Sequence, residues 1–291
     1  MSLISPNILL KIEELFIYKK WDINTRIAST PSLFFRFCER LKLLNVEQQL
    51  LVIELSYKYT RIELGNYLER FYDSLISLGD NVYNDFDKIF VYPLLNPHKA
   101  TPSKTKSAGF LHYMFESDDY TWLSEKFIPN SSLKYLQQNF DNKDSILILI
   151  DDYVGSGGTA IEICNEYINV EIKSGKISPN NIKVVSIASS LQGTNTVKAS
   201  LGIDVISALT FDKGISDDSN KEKALSRKQT MESIESILDV TPNFKFGYNQ
   251  TEALITMLHK TPNNTFPVYW LETRYKMAPF PRKKNYKWTT Q

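Results

Sequence analysis

Two adjacent carboxylates, Asp151 and Asp152, stand at the end of an unbroken aliphatic run, Ile146-Leu147-Ile148-Leu149-Ile150. Tyr153 and Val154 follow, then Gly155, Ser156, Gly157, Gly158 and Thr159. A run that is apolar at every position is the pattern of a strand covered on both faces. A glycine-rich turn after such a strand, opening into a helix, lets backbone N–H groups come close to an anion. The positive end of the helix dipole strengthens the attraction. Gly155, Ser156, Gly157, Gly158 and Thr159 are therefore expected to cradle a phosphate, with hydroxyl donors from Ser156 and Thr159. A loop that only bound phosphate would gain nothing from two negative charges at its mouth. Asp151 and Asp152 make sense as acceptors for sugar hydroxyls, or as carboxylates that help to hold a Mg²⁺ brought in by the ligand. A ligand with a phosphate at one end and a vicinal diol at the other fits both halves.

Other glycine loops fit less well. A P-loop requires G-x-x-x-x-G-K-[ST], and no lysine follows these glycines. Gly155-x-Gly157-x-x-Ala160 does match the dinucleotide fingerprint G-x-G-x-x-A. That fingerprint also wants an acid at the end of the next strand, where this chain has Ile187-Ala188-Ser189-Ser190. It leaves the aspartate pair without a role. The bland alternative is an ordinary glycine-rich turn with no ligand.

The elements that must position this loop follow from the hydrophobic periodicity. The first 80 residues read as helices. Ser5-Pro6 places a cap before a proline, and Leu9, Ile12, Leu15 and Phe16 fall on one face. Asn45 and Gln48 have the spacing of a capping box. Leu64, Leu68, Phe71, Leu75 and Leu78 form a second helical stripe. These stripes suit core packing, and the region shows no convergent polar groups, so it is expected to be accessory or to dock a partner. From residue 88 the pattern changes. Lys88–Leu95, Ile146–Ile150, Ile182–Ala188 and Ile203–Phe211 read as strands, with helical stretches over 159–174 and 194–201 between them. That alternation predicts an α/β fold, a parallel sheet with crossover helices, preceded by the helical region. The expected division is residues 1–80 and 81–291. Asp212–Arg227 is charged and reads as a solvated loop leading into a helix over 228–238.

Composition narrows the function classes. The 291 residues carry a net charge of +1, and 42% are hydrophobic. The chain as a whole is no electrostatic binder of nucleic acid. Its one dense basic patch is the tail, Arg282, Lys283, Lys284 and Lys287, expected to be a solvated end. Cys38 and Cys164 sit among apolar residues, as core cysteines do. His98, His112 and His259 are too scattered for a metal cluster. The N-terminus lacks the pattern of a signal peptide, and the longest aliphatic run is far too short for a membrane span. A cytoplasmic protein is expected.

The segment ILIDDYVGSGGT resembles the PRPP-binding signature of type I phosphoribosyltransferases, where PRPP is 5-phosphoribosyl-1-pyrophosphate. The signature is a run of aliphatic residues, two acids, three variable residues, Ser or Thr, Gly, any residue, then Thr. Every defined position is met by Asp151, Asp152, Ser156, Gly157 and Thr159. The resemblance implies that Asp151 and Asp152 contact the ribose 2′- and 3′-hydroxyls and that Gly155–Thr159 bind the 5′-phosphate. It implies Mg²⁺ as cofactor and displacement at the anomeric carbon as the reaction. The same site could instead serve a catalytically inactive, nucleotide-binding switch. The acceptor is left open among a free base, a nucleotide and a nucleic acid.

The long helical N-terminal part and the stretch from His259 to Trp270 together resemble phosphoribosyltransferase-like effectors of bacterial anti-phage systems, some encoded beside retron reverse transcriptases. That resemblance implies a defence role, with a partner such as a reverse transcriptase complex held by the N-terminal helices. In phosphoribosyltransferases a mobile segment after the early strands covers the pyrophosphate. Lys104 and Lys106, in the acid-free stretch Lys99–Ser107, could do so here, or they belong to a plain solvated loop. His259, Asn263 and Asn264 could contact an acceptor base, while Thr-Pro-Asn-Asn is equally a turn sequence.

Overall fold

The aliphatic run forms the middle of a sheet, as its composition requires. The computed structural model describes residues 4–23, 31–95, 107–116, 125–129, 132–168, 177–258, 260–273 and 275–282. The strands are β1 (Thr60–Ile62), β2 (Lys88–Pro93), β3 (Phe127–Pro129), β4 (Ser145–Val154), β5 (Ile182–Ser190), β6 (Asp204–Phe211) and β7 (Ile255–Met257). The helices are α1 (Pro6–Lys19), α2 (Leu33–Leu41), α3 (Val46–Lys58), α4 (Leu64–Ile76), α5 (Asp80–Asp85), α6 (Ser107–Glu116), α7 (Leu133–Asn139), α8 (Gly158–Ile163), α9 (Leu191–Leu201), α10 (Lys221–Ile237) and α11 (Pro267–Trp270). The fold is α/β, with a helical N-terminal region and a five-stranded parallel sheet.

The contacts divide the chain into two units, residues 64–211 and residues 1–63 with 212–291. This boundary differs from the division expected at residue 80. α4 belongs with the sheet because Tyr67, Phe71 and Leu75 are buried there, although Leu64 of the expected stripe is exposed, and because Ser74 Oγ donates to Ser186 O (2.8 Å) and accepts from Ala208 N–H (2.9 Å). β1 belongs with the C-terminal residues because it pairs in parallel with β7, Thr60 opposite Ile255 and Ile62 opposite Met257.

In the first unit the sheet order is β3-β2-β4-β5-β6, all parallel. Parallel neighbours need crossovers, and α8 and α9 supply two of them. Phe90, Leu147, Leu149 and Val184 on the strands pack with Ala160, Ile163 and Val197 of α8 and α9. Each fully buried aliphatic side chain contributes about 1.5–3 kcal/mol. Cys164 is a buried, free thiol in this cluster, pushed up to about 12 by burial, so it is a packing residue.

The second unit is built on Ile12, Leu15 and Phe16 of α1, Phe37 and Leu41 of α2, Val52 and Leu55 of α3, and Met231 and Ile234 of α10. Cys38 is buried and free in the same unit. The charged stretch expected as loop is helical from Lys221, capped by Asn220, whose Oδ1 accepts from Lys223 N–H at 2.9 Å. Lys, Glu and Ala are strong helix formers, and a charged run of them need not be loop. Arg227, mostly buried, binds Glu54 of α3 and lies 2.5 Å from Asp218. Arg282, expected as part of a solvated tail, is half-buried and donates to Thr261 O (3.2 Å). Lys283, Lys284 and Lys287 lie outside the described residues. No helix among the described residues is long and apolar enough to cross a membrane.

Candidate functional site

The strand order reverses direction beside β4. The chain lays down β2, goes outward to β3, then returns to place β4 on the other side of β2 and continues through β5 to β6. In open α/β sheets, ligands bind at the carboxyl ends of the strands flanking such a switch point. β4 outlasts its neighbour there. Its pairing with β2 ends at Pro93 opposite Ile150, and Leu94 N–H makes a last bond to Ile150 O (2.8 Å). Its pairing with β5 runs on to Val154 opposite Ser189. Residues 151–154 are thus supported by β5 after the pairing with β2 has ended, and both aspartates lie in that extension. The aliphatic run alone predicts a strand ending at Ile150. β5 carries it four residues further, because its ladder does not depend on whether the side chains are apolar.

Asp151 and Asp152 are half-buried. Adjacent strand residues project to opposite sides. Asp151 Oδ1 accepts the Asp152 N–H at 2.8 Å, which fixes the first carboxylate against its own backbone. Tyr153 is buried between the acids and the loop. Burial pushes its phenol far up, and its hydroxyl has no hydrogen-bond partner among the described residues.

The glycine loop then turns the chain into α8. Gly157 takes the left-handed conformation (φ 78°, ψ −7°) and is the N-cap of the helix. A side chain there would be strained, and its Cβ would meet Gly193 O and Val197 Cγ2, each at 2.9 Å. α1, α2, α3, α7, α9 and α10 have their first turns capped by the side chains of Ser5, Ser32, Asn45, Ser132, Ser190 and Asn220. The cap of α8 is a glycine with no side chain to offer. The first-turn amides of a helix lack intrahelical acceptors, and those of α8 begin at Gly158 and Thr159, which are exposed. Ser156 is half-buried beside them. The arrangement can present several N–H groups and two hydroxyls to an anion, with two carboxylates one strand-end away.

Of the residues singled out in the sequence, Asp151, Asp152, Gly155, Ser156, Gly157, Gly158 and Thr159 are brought together at the end of β4. Asn263 and Asn264 belong to the other unit. Asn264 is buried, and its Nδ2 donates to Tyr248 O (3.2 Å) and Thr251 Oγ1 (3.0 Å), while Asn263 O accepts from Tyr248 N–H (2.8 Å). These bonds hold a turn. Lys104, Lys106 and His259 lie outside the described residues. Two residues at the site escaped the sequence reading, Ser190 and Gly193, which lie against the loop from the start of α9. Their signal was a serine cap followed three residues later by a glycine, immediately after a buried strand.

A family model described as PRTase-CE matches residues 40–289. The chain belongs to the PRTase-CE family. It is a phosphoribosyltransferase-like protein, and the match takes in the whole sheet, the aspartate pair and the glycine loop. No curated protein matches the chain.

Proposed function

We propose that the protein binds PRPP with Mg²⁺ at the end of β4 and catalyses transfer or cleavage at the ribose anomeric carbon. The single observation that carries this reading is the placement of Asp151 and Asp152 on the one strand that outlasts its neighbour at the switch point, directly before an anion-competent turn. The 5′-phosphate rests on Gly155–Thr159, where amides and the Ser156 and Thr159 hydroxyls donate to it. The ribose hydroxyls donate to Asp151 and Asp152. With the sugar held at both ends, the bond from the anomeric carbon to the pyrophosphate oxygen breaks through an oxocarbenium-like state. A nucleophile then forms its bond at the same carbon and gives up its proton to the departing pyrophosphate or to solvent. The chain needs no covalent chemistry of its own, since positioning and charge stabilisation supply the rate.

The donor set suits the proposed metal, because Mg²⁺ prefers oxygen ligands and commonly takes one or two carboxylates together with substrate phosphates. Asp151 and Asp152 are the carboxylates at hand, and when bound the ion would neutralise charge on the leaving pyrophosphate.

The resemblance to anti-phage effectors supports a defence role in the cytoplasm. The buried free thiols Cys38 and Cys164 fit a reducing compartment. The exposed apolar side chains Leu10, Ile17 and Tyr18 on α1 fit docking of a protein partner, such as a reverse transcriptase complex. The test is to incubate the protein with PRPP, Mg²⁺ and a panel of bases and nucleotides, and to follow pyrophosphate release. Release that disappears in an Asp151→Asn/Asp152→Asn double variant supports an enzyme. PRPP binding without PRPP consumption points to a nucleotide-responsive switch. No binding removes the reading.

A further inference from the structure

The phosphate loop is not held by its own strand and helix alone. Ser190, at the junction of β5 and α9, is buried, with 3% of its surface exposed. Its Oγ donates to Gly155 O at 2.5 Å and accepts the N–H of Gly193 at 2.8 Å. One hydroxyl therefore ties the loop carbonyl to the first turn of α9. Gly193 makes the approach possible. A Cβ on Gly193 would lie 2.1 Å from Gly155 O, 2.9 Å from Gly155 C and 3.1 Å from Val154 O. All three are backbone atoms that cannot swing aside. From the other side, a Cβ on Gly157 would lie 2.9 Å from Gly193 O. The loop and the turn are thus fitted backbone to backbone, with glycine on both surfaces.

This contact fixes the direction of a peptide. No peptide bond among the described residues is cis. In a trans peptide the C=O and the following N–H point to opposite sides of the chain. Once the Gly155 carbonyl is drawn to Ser190, the Ser156 N–H is turned away from α9. An amide fixed in this way before a ligand arrives loses no freedom when the ligand binds, and that saving appears as affinity.

We propose that Ser190 and Gly193 are positioning residues that set the Gly155–Ser156 peptide so that its amide meets the ligand phosphate. The proposal rests on the phosphoribosyl reading of the site. Neither residue touches the ligand. Ser190 acts through the Gly155 carbonyl, and Gly193 acts by leaving room for it.

The experiment measures affinity for ribose 5-phosphate, and for PRPP with Mg²⁺, by calorimetric titration of the full chain. The variants are Ser190→Ala, Ser190→Cys and Ser190→Thr, each with its melting temperature. Ala removes the hydroxyl. Cys keeps the shape but is a weak donor. Thr keeps the hydroxyl and is the conservative rescue. Loss of one hydrogen bond that orients the amide predicts roughly tenfold weaker binding of both ligands by the Ala and Cys variants. The Thr variant should stay within about threefold of wild type, since the difference is well under one bond. A role in capping α9 alone would lower the melting temperature and leave affinity unchanged. If the Ala variant does not fold, the Cys variant reads the same quantity. Wild-type binding with equal affinity in the folded Ala or Cys variant overturns this proposal and leaves the phosphoribosyl reading standing. Wild type that binds neither ligand overturns both.

Discussion

Asp152→Asn keeps the shape of the side chain and removes one charge. Asp152 is half-buried in the extension of β4, where the backbone is held by β5. Its own N–H bonds to Asp151 Oδ1, a contact the substitution does not touch. The fold should therefore survive, with a change in stability within about 0.5 kcal/mol, as for substitutions away from the core. Relief of repulsion between neighbouring carboxylates adds a small gain. Ligand binding should behave differently. A hydrogen bond from a ribose hydroxyl to a carboxylate is worth about 1.5–3 kcal/mol. Weakening it to a neutral acceptor forfeits much of that, which corresponds to about ten- to a hundredfold in affinity. The assay pairs calorimetric titration with PRPP and Mg²⁺ against a thermal melt of the same sample. An unfolded variant would make the acids structural. A folded variant with wild-type affinity would show that Asp152 does not face the sugar.

Three further outcomes follow from the same geometry. Gly157→Ala should destabilise the protein by about 2 kcal/mol or more and lower the melting temperature, because it combines a left-handed backbone with contacts at 2.9 Å to Gly193 O and Val197. An unchanged melt would contradict the packing of the loop on α9, and a loss of affinity alone would mean that the side chain fills the phosphate site instead. Tyr153→Phe removes a buried hydroxyl that has no partner among the described residues, so stability should hold or rise by about 1 kcal/mol, read by denaturant titration. A clear loss would mean that the hydroxyl is satisfied in solution. Glu235 is fully buried and its carboxyl is pushed up to about 7, first by desolvation and against the opposing bond from Phe246 N–H at 2.8 Å. A raised folded value gives a contribution that is full below the ordinary 4.5 and is lost as pH rises through about 7. Glu235→Gln should accordingly flatten the fall in melting temperature between those values, and parallel profiles for the two proteins would contradict it.

The sequence carried the site well because the site is local. Asp151 to Thr159 are consecutive, and strand, acids, glycines and helix follow one another in the order the geometry uses them. Helix starts were legible for the same reason. Asn45 and Gln48 make the reciprocal bonds of a capping box, at 3.0 and 2.9 Å, and Ser5 caps α1 at Ile8. What escaped was set by distant partners. β1 and β7 have three residues each and exist through pairing across the length of the chain, so no local pattern marks them. The true end of β4 depends on β5. α4 reads as one more N-terminal helix until Ser74 is seen to bond with Ser186 and Ala208. The first turns of α10 were hidden by charge, since their burial comes from Arg227 reaching Glu54 and Asp218. Ser190 and Gly193 look like a routine helix start, and their relation to Gly155 appears only when β4 and β5 lie side by side.

In the proposed complex the glycine turn after β4 holds the phosphate of a phosphorylated ribose. Amide hydrogen exchange of the full chain, with and without millimolar PRPP and Mg²⁺, reads that contact residue by residue. Exchange should slow with PRPP in residues 155–160 and should not slow there in the Asp151→Asn/Asp152→Asn double variant. Exchange in that segment unchanged by PRPP, or protection appearing only elsewhere in the chain, would contradict it.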